Sequence, residues 1–271
     1  MELYTTPDYS VRLDLARRLA DRARELTLPL FANPGAAQNK GTVSDYDPVT
    51  QADMDAERMM RDMIRTDLPD DTIIGEEFDD HIGSGTWSWT LDPIDGTRAF
   101  LAGVPVWSTL IAVSYNDTPV IGLIDHPALA QRFVGHGGKA YREDGSGTAQ
   151  IRARPCKDIR DIVLGCTEPL AMFSAGERAS YEMIRRTARF SRLGLDAYGY
   201  AMLASGRMDM ILEALLKPCD VRALIPIVEG AGGIITGWHG ESPIHGGRVV
   251  AAGDPDILEQ VYPYLRRAMD S

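Results

Sequence analysis

Apolar residues recur every three or four positions through SVRLDLARRLADRARELT, residues 10–27, placing Val11, Leu15, Leu19, Ala23 and Leu26 on one stripe with charges opposite. That period predicts an amphipathic helix. ADMDAERMMRDMIRTDL, residues 52–68, repeats it with Ala52, Ala56, Met59, Met63 and Ile64, and its methionines read as core filling. NKGTVSDYDPVTQAD between them is rich in Gly, Asp and Pro, which predicts a loop ending at the second helix. The stretch over 33–48 is therefore a candidate border of a site. From TIIGEEF (72–78) onward the apolar runs shorten: WSWTLD, VWSTLIAVSY (106–115), PVIGLIDHP (119–127), AQRFVGH (130–136) and KAY (139–141). Their close spacing predicts an antiparallel meander. The glycines of GHGGKAYREDGSG lack the strand-to-helix context of a phosphate loop and read as hairpin turns.

Beyond DIVLGC (161–166) strand-like and helix-like segments alternate through SAGERASYEMIRRTA, DAYGYAMLASG, MDMILEA, DVRALIPIVEGAGG, IIT, RVVAAG and PDILEQVYPYLRRAM. This order predicts helices packed on a sheet. The expected plan is an α+β half over 1–155 and an α/β half over 156–271, joined in one compact unit. With 44% hydrophobic residues in 271, the chain can fill a sizeable core. Its net charge of −11 argues against nucleic acid or anionic membrane as partner. A small anionic substrate stays compatible where cations mask the carboxylates. Cys156, Cys166 and Cys219 have no zinc-site spacing and are expected to be reduced. No secretory h-region or membrane-length apolar run is evident, so a cytoplasmic protein is expected.

Candidate chemistry concentrates in WTLDPIDGTRAF, residues 89–100. Pro93 cannot continue a ladder, so the chain turns after Asp92, and Asp92 and Asp95 need not take the opposite faces that a strand count assigns. Both can converge on one point. Gly96 permits close backbone approach, and Thr97 to Leu101 can begin a short helix whose free N–H groups face an anion. A strand end, two carboxylates and a helix N-terminus make a metal-plus-phosphate site, and oxygen donors suit magnesium. Alone, this motif also reads as an Asx turn before a helix. Two further elements weigh against that bland reading. GEEF puts Glu76 and Glu77 at the end of an apolar strand, at the same sheet rim, while PCDVRAL puts Asp220 at the start of an apolar helix, where it also reads as an N-cap. The Asp-x-Asp-Gly-Thr nucleophile of haloacid-dehalogenase phosphatases is disfavoured, because the spacing here is one residue longer and the motif lies a third of the way along the chain, not after the first strand.

VTQAD (49–53), GEEF (75–78), DPIDGTRAF (92–100) and CDVRALIPIVEGAGG (219–233), in this order, resemble the lithium-sensitive, magnesium-dependent phosphatases typified by inositol monophosphatase. The resemblance implies a layered α/β/α/β/α sandwich, usually a homodimer. It also implies that Glu76, Asp92 and the Ile94 carbonyl hold one magnesium ion, that Asp92, Asp95 and Asp220 hold another, and that Glu76 helps a third. Thr97, hydrogen-bonded to Asp53, would orient the attacking water, and the N–H groups of Gly96 and Thr97 would receive phosphate oxygens. Asp53 alone reads as a helix cap. Crowded carboxylates repel without cations, so metal should order such a site.

DGTRAF with GVPVW, GLDAYGYAMLASG and ALIPIVEGAGG looks like the histidinol-phosphate phosphatase branch, whereas members acting on inositol phosphate commonly carry Thr-Asn-Phe after Asp-Gly-Thr. The implied activity is hydrolysis of L-histidinol phosphate in histidine biosynthesis. Inositol 1-phosphate or another polyol phosphate is the alternative ester, followed by a nucleotide 3′-phosphate. A non-catalytic regulatory homologue is opposed by the presence of Asp53, Glu76, Asp92, Asp95, Thr97 and Asp220. Arg192, Asp196 and Glu213 are the implied substrate-side residues. Without the resemblance, Asp196 reads as an N-cap and Glu213 as a solvated strand end; Arg192 can pair with Asp196 or face the substrate phosphate, and Arg98 can brace the loop. Cys219 stands where members commonly have an aromatic residue and Arg222 where small residues are frequent, so an altered pocket wall is expected. His126 reads as an ordinary surface or core histidine.

Overall fold

A computed structural model describes residues 3–33, 37–40 and 48–267. Most of the 33–48 loop lies outside the described residues. Helix α1 (Pro7–Phe31) begins earlier than its apolar stripe because Thr6 accepts from Tyr9 N and proline occupies the first turn. A two-residue antiparallel ladder, β1 (Gln38–Asn39) with β2 (Pro48–Val49), precedes α2 (Gln51–Asp67). A capping box between Thr50 and Asp53 starts α2.

Seven strands then form one sheet: β3 (Thr72–Gly75), β4 (Trp87–Asp95), β5 (Ser108–Tyr115), β6 (Thr118–His126), β7 (Gln131–His136), β8 (Lys139–Asp144) and β9 (Gly147–Ile151). Short helix α3 (Thr97–Ala102) leaves β4. The meander holds from β4 to β9, but β3 runs parallel to β4. The segment between them is long enough to return the chain to the same end of the sheet, which a tight hairpin cannot do. The hairpin β8–β9 also extends past the expected strand 139–141, through a turn at Gly145 and Ser146.

The rest of the chain comprises β10 (Val163–Cys166), α4 (Pro169–Met172), α5 (Ala175–Thr187), β11 (Phe190–Leu193), α6 (Ala197–Ala204), β12 (Met210–Leu216), α7 (Pro218–Val221), α8 (Leu224–Gly230), β13 (Ile234–Gly237), β14 (Gly247–Ala252) and α9 (Pro255–Arg267). Its five strands take the order β11-β10-β12-β14-β13, parallel on either side of β10 and antiparallel elsewhere. One core packs Leu15, Leu19, Met60 and Ile64 of α1 and α2 against Trp89, Ile111 and Leu123 of the large sheet. A second packs Tyr200, Leu224 and Ile227 of α6 and α8 between Phe133 of that sheet and Ile211 of the smaller one. A third packs Tyr181, Ile184, Leu258 and Val261 of α5 and α9 on Leu212 and Val250. The result is an α/β/α/β/α sandwich. Helix α8 reaches the large sheet over Gly122 and Gly135, where a Cβ would collide with the backbone of Ala223 and Pro226. No helix among the described residues is long and apolar enough to cross a membrane.

A buried ion pair ties the first layer down. Asp71 receives Arg12 through two nitrogens and Trp89 Nε1 at 2.8 Å, joining α1, the approach to β3, and β4. Truncation would leave the Arg12 guanidinium buried and unpaired. Asp71→Ala is expected to lower unfolding free energy by about 3 kcal/mol, read from the urea midpoint.

Candidate active site

A cavity of about 490 Å³ is lined by Glu76, Asp92, Ile94, Asp95, Gly96, Thr97 and Asp220. The same lining includes Thr167, Glu168, Ala171, Met172, Asp196, Tyr200, Glu213 and Leu215. A bulge in β4 brings in its two aspartates. Asp92 lies opposite Leu110 and Asp95 opposite Ser108, so three residue steps on β4 match two on β5. The extra residue reverses the alternation and brings both aspartates to the same side. Pro93, which cannot donate to the ladder, sits inside the bulge, and its carbonyl accepts from Thr109 Oγ1 at 2.8 Å.

Other elements deliver the remaining carboxylates. Glu76 follows β3, in a segment held by the buried Glu57–Arg61 pair: Glu57 accepts from Glu77 N at 2.8 Å, and Arg61 donates to the carbonyls of Phe78 and Asp79. Asp220 accepts from Lys217 N at 2.7 Å, capping α7 from its third position. The N-cap reading of Asp220 was thus close, yet the same side chain also enters the acidic cluster. Donor atoms of Glu76, Asp92, Cys219 and Asp220 all lie within 4.8 Å of one another. Asp95 adjoins them, with one oxygen accepting from Ser108 Oγ at 3.1 Å and Ala197 N at 3.0 Å.

Electrostatics records the crowding. Burial pushes Asp92 well above the usual carboxylate range, and Glu76, Asp95 and Asp220 reinforce it; Asp95 is raised by burial and by Asp196 and Asp220. Burial also raises Asp220 to about 6, with Glu76 adding to the shift. Lys217 Nζ rests 2.9 Å from Glu76 Oε1, and Lys40 Nζ 2.9 Å from Glu77 Oε1. Oxygen donors in this number, short of positive charge, fit a hard divalent cation. The Cys219 sulfur, buried and donating to Asp220 at 3.5 Å, gives the cluster a soft atom, in line with the altered pocket wall expected at this position.

Several expected placements change. Thr97 Oγ1 donates to the Ile94 carbonyl at 3.1 Å and Asp53 accepts from Thr50, so the implied Thr97–Asp53 bond is not made. Asp53 still acts on the cluster through charge, since its field helps to raise Asp92. Arg192 lies outside the cavity lining, on edge strand β11, with its guanidinium over the Phe190 ring. Arg222 is buried and turned away, donating to the Ile244 carbonyl at 3.0 Å and Thr90 Oγ1 at 3.3 Å. His126 is a core histidine against the Trp107 carbonyl, and burial lowers it to about 4.

Glu213 and Asp196 do reach the cavity, by routes the sequence hid. Glu213 is buried rather than a solvated strand end. It accepts from Thr167 N and Oγ1 and, at 3.0 Å, from Tyr200 OH, and burial pushes it up to about 7. Asp196 stands at the start of α6 without capping it, at φ 48°. Its carboxylate lies against Gly96, where φ is 78° and a Cβ would meet it tightly, and burial raises it to about 6 although Arg98 opposes the shift. Lys40, Lys217, Thr167 and Glu168 went unnoticed in the sequence. Only the adjacency of Lys217 to the Pro-Cys-Asp run offered a signal.

These raised acids fix a pH sign. Without metal the native state binds more protons than the unfolded chain from about pH 4, the ordinary carboxylate range, up to about 7, where Glu213 titrates. Metal-free stability is therefore expected to fall as pH rises through that window, with magnesium flattening the decline, as followed by thermal unfolding. Asp92→Asn removes one of the repelling charges. Its metal-free midpoint should rise while its magnesium-induced increment shrinks; an unchanged increment would remove Asp92 from the metal site.

Comparison with known proteins agrees with this architecture. The model of the inositol monophosphatase family matches residues 8–270. The chain is 38% identical to the Arabidopsis thaliana protein named bifunctional phosphatase IMPL2, chloroplastic, over 91% of this chain and 72% of that one. It is 34% identical to the histidinol-phosphatase of Chlorobaculum parvum, over 92% of this chain and 93% of that one. A solved inositol monophosphatase from Zymomonas mobilis superposes with TM-score 0.84 at 35% identity, covering 96% of this chain and all of the other. The fold, the order of the acidic motifs and the extent of the match lead to one assignment: the chain belongs to the inositol monophosphatase family.

Proposed function

We propose that the protein is a magnesium-dependent phosphomonoesterase that hydrolyses L-histidinol phosphate to L-histidinol and phosphate. The observation that carries this reading is the make-up of one cavity, whose lining joins Glu76, Asp92, Asp95, Asp220 and the start of α3 to Asp196, Glu213 and apolar side chains. The relatives named histidinol-phosphatase support the ester, and the family supports the reaction.

In this reading Glu76, Asp92, Asp95, Asp220 and the Ile94 carbonyl hold two or three magnesium ions. Bound there, magnesium supplies positive charge against the transferring phosphoryl group and favours ionisation of water. The chain's own groups do the rest. The first N–H groups of the α3 turn, at Gly96 and Thr97, have no intrahelical acceptors and offer hydrogen bonds to phosphate oxygens. Thr97 and Glu76 border the space from which water attacks in line, one offering a hydroxyl and the other an acceptor. Asp53 acts at a remove, by starting α2 and adding negative field at Glu76. Beside the start of α3 the substrate's ammonium pairs with Asp196, whose carboxylate Arg98 helps keep ionised. Glu213, already fixed by Thr167 and Tyr200, presents a shaped acceptor to the imidazole. A cytoplasmic homodimer completes the proposal.

A phosphate-release panel at equal ester concentration tests the substrate. Histidinol phosphate should exceed inositol 1-phosphate, glycerol 2-phosphate and a nucleoside 3′-phosphate in kcat/KM. Strong turnover of inositol 1-phosphate beside negligible turnover of histidinol phosphate would transfer the assignment to the polyol reading. Chelation should abolish activity and magnesium restore it. Asp92→Asn should lower kcat by about 100-fold or more while retaining the native circular-dichroism spectrum.

A further inference from the structure

Strand β12 carries a bulge of its own at the cavity. Its pairing with β14 steps from Glu213 opposite Val249 to Leu216 opposite Gly247, again three residue steps against two. The extra length leaves Leu215 at φ 61°, a left-handed conformation that side chains with a Cβ rarely adopt, least of all bulky ones. The same residue is 72% exposed, a large apolar side chain in a cavity lining that also includes Ala171, Met172 and Leu216. Backbone strain and exposed apolar surface thus fall on one residue. Glycine would relieve the first and any polar residue the second, so neither the turn nor solvation accounts for leucine here. Strain of this kind is retained where surrounding structure enforces it and function uses it.

We infer that Leu215 is a specificity-determining residue, an apolar wall that selects esters whose leaving alcohol carries a flat ring over esters of polyols. This rests on the phosphomonoesterase reading of the cavity but not on histidinol phosphate as the ester. A ring laid on Leu215 and Met172 removes apolar surface from water on both sides. A polyol in that place surrenders water from its hydroxyls to side chains that cannot hydrogen-bond. Lys217 and Asp220 follow two and five residues later, so the bulge that displaces Leu215 also sets the distance from the wall to the acidic cluster.

Two variants separate side chain from backbone. Leu215→Ala removes the wall and keeps the strain, whereas Leu215→Gly removes both. With magnesium present, both should lower the ratio of kcat/KM for benzyl phosphate to that for glycerol 2-phosphate by about 5–10-fold, chiefly through KM for the benzyl ester. Only Leu215→Gly should raise the unfolding midpoint, by about 2 °C. Calorimetry with benzylphosphonate reads the wall without turnover, and its Kd should rise in both variants by about the same factor as KM. Ratios and Kd unchanged within about twofold would overturn the inference, as would variants that change only the sedimentation mass, which would assign Leu215 to a contact between copies of the chain. Wild-type failure on histidinol phosphate, with the benzyl selectivity still dependent on Leu215, would overturn the parent reading alone.

Discussion

Mutual repulsion among carboxylates is the constraint around which this molecule is built. Glu76, Asp92, Asp95 and Asp220 come from the segment after β3, from β4 and from α7, and burial removes the water that would screen them. Nothing in their own interaction favours the arrangement, so other forces must hold it. The β4 bulge fixes two of them through strand pairing, the Glu57–Arg61 pair holds the segment bearing Glu76, and the α7 cap fixes Asp220. Each device belongs to an element anchored in a hydrophobic layer. Packing energy spread over three cores therefore stabilises a centre that is unfavourable until cations arrive.

That division of labour explains what was legible in the sequence. Helical stripes and short strands announce themselves locally, which is why α1, α2, β5 and β6 were readable from periodicity alone. The convergence of Asp92 and Asp95 was readable for a different reason, since Pro93 forbids the regular ladder that would have separated them. Parallel pairing of β3 with β4 was not readable. It depends on where a long connection returns, and nothing in residues 76–86 states that locally.

Among site residues the same boundary holds. Asp220 was ambiguous because the local signal for a helix cap and the long-range signal for a metal ligand are one carboxylate, and the structure uses it as a cap while placing it in the cluster. Glu213 at a strand end predicts solvent, but the sandwich closes Thr167 and Tyr200 over it. Arg192 shows the converse. The resemblance implies a substrate-side role for it, while its place on the edge strand directs it to Phe190. Cys219 and Lys217 matter through neighbours more than 100 residues away, beyond the reach of any short pattern.

One device shapes the cavity lining in both sheets. In β4 a bulge gathers charge, and in β12 a bulge accompanies an exposed apolar side chain, Leu215. Asp196 links α6 to the acidic cluster. Its own strained backbone holds the carboxylate against Gly96, and the N–H of the next residue, Ala197, binds Asp95. A shift of α6 would therefore move Asp196 and the hydrogen bond to Asp95 together. In the proposed reading, covalent adjacency and two short contacts couple reaction to recognition, and variation in the ester falls to the rim, where Leu215 stands.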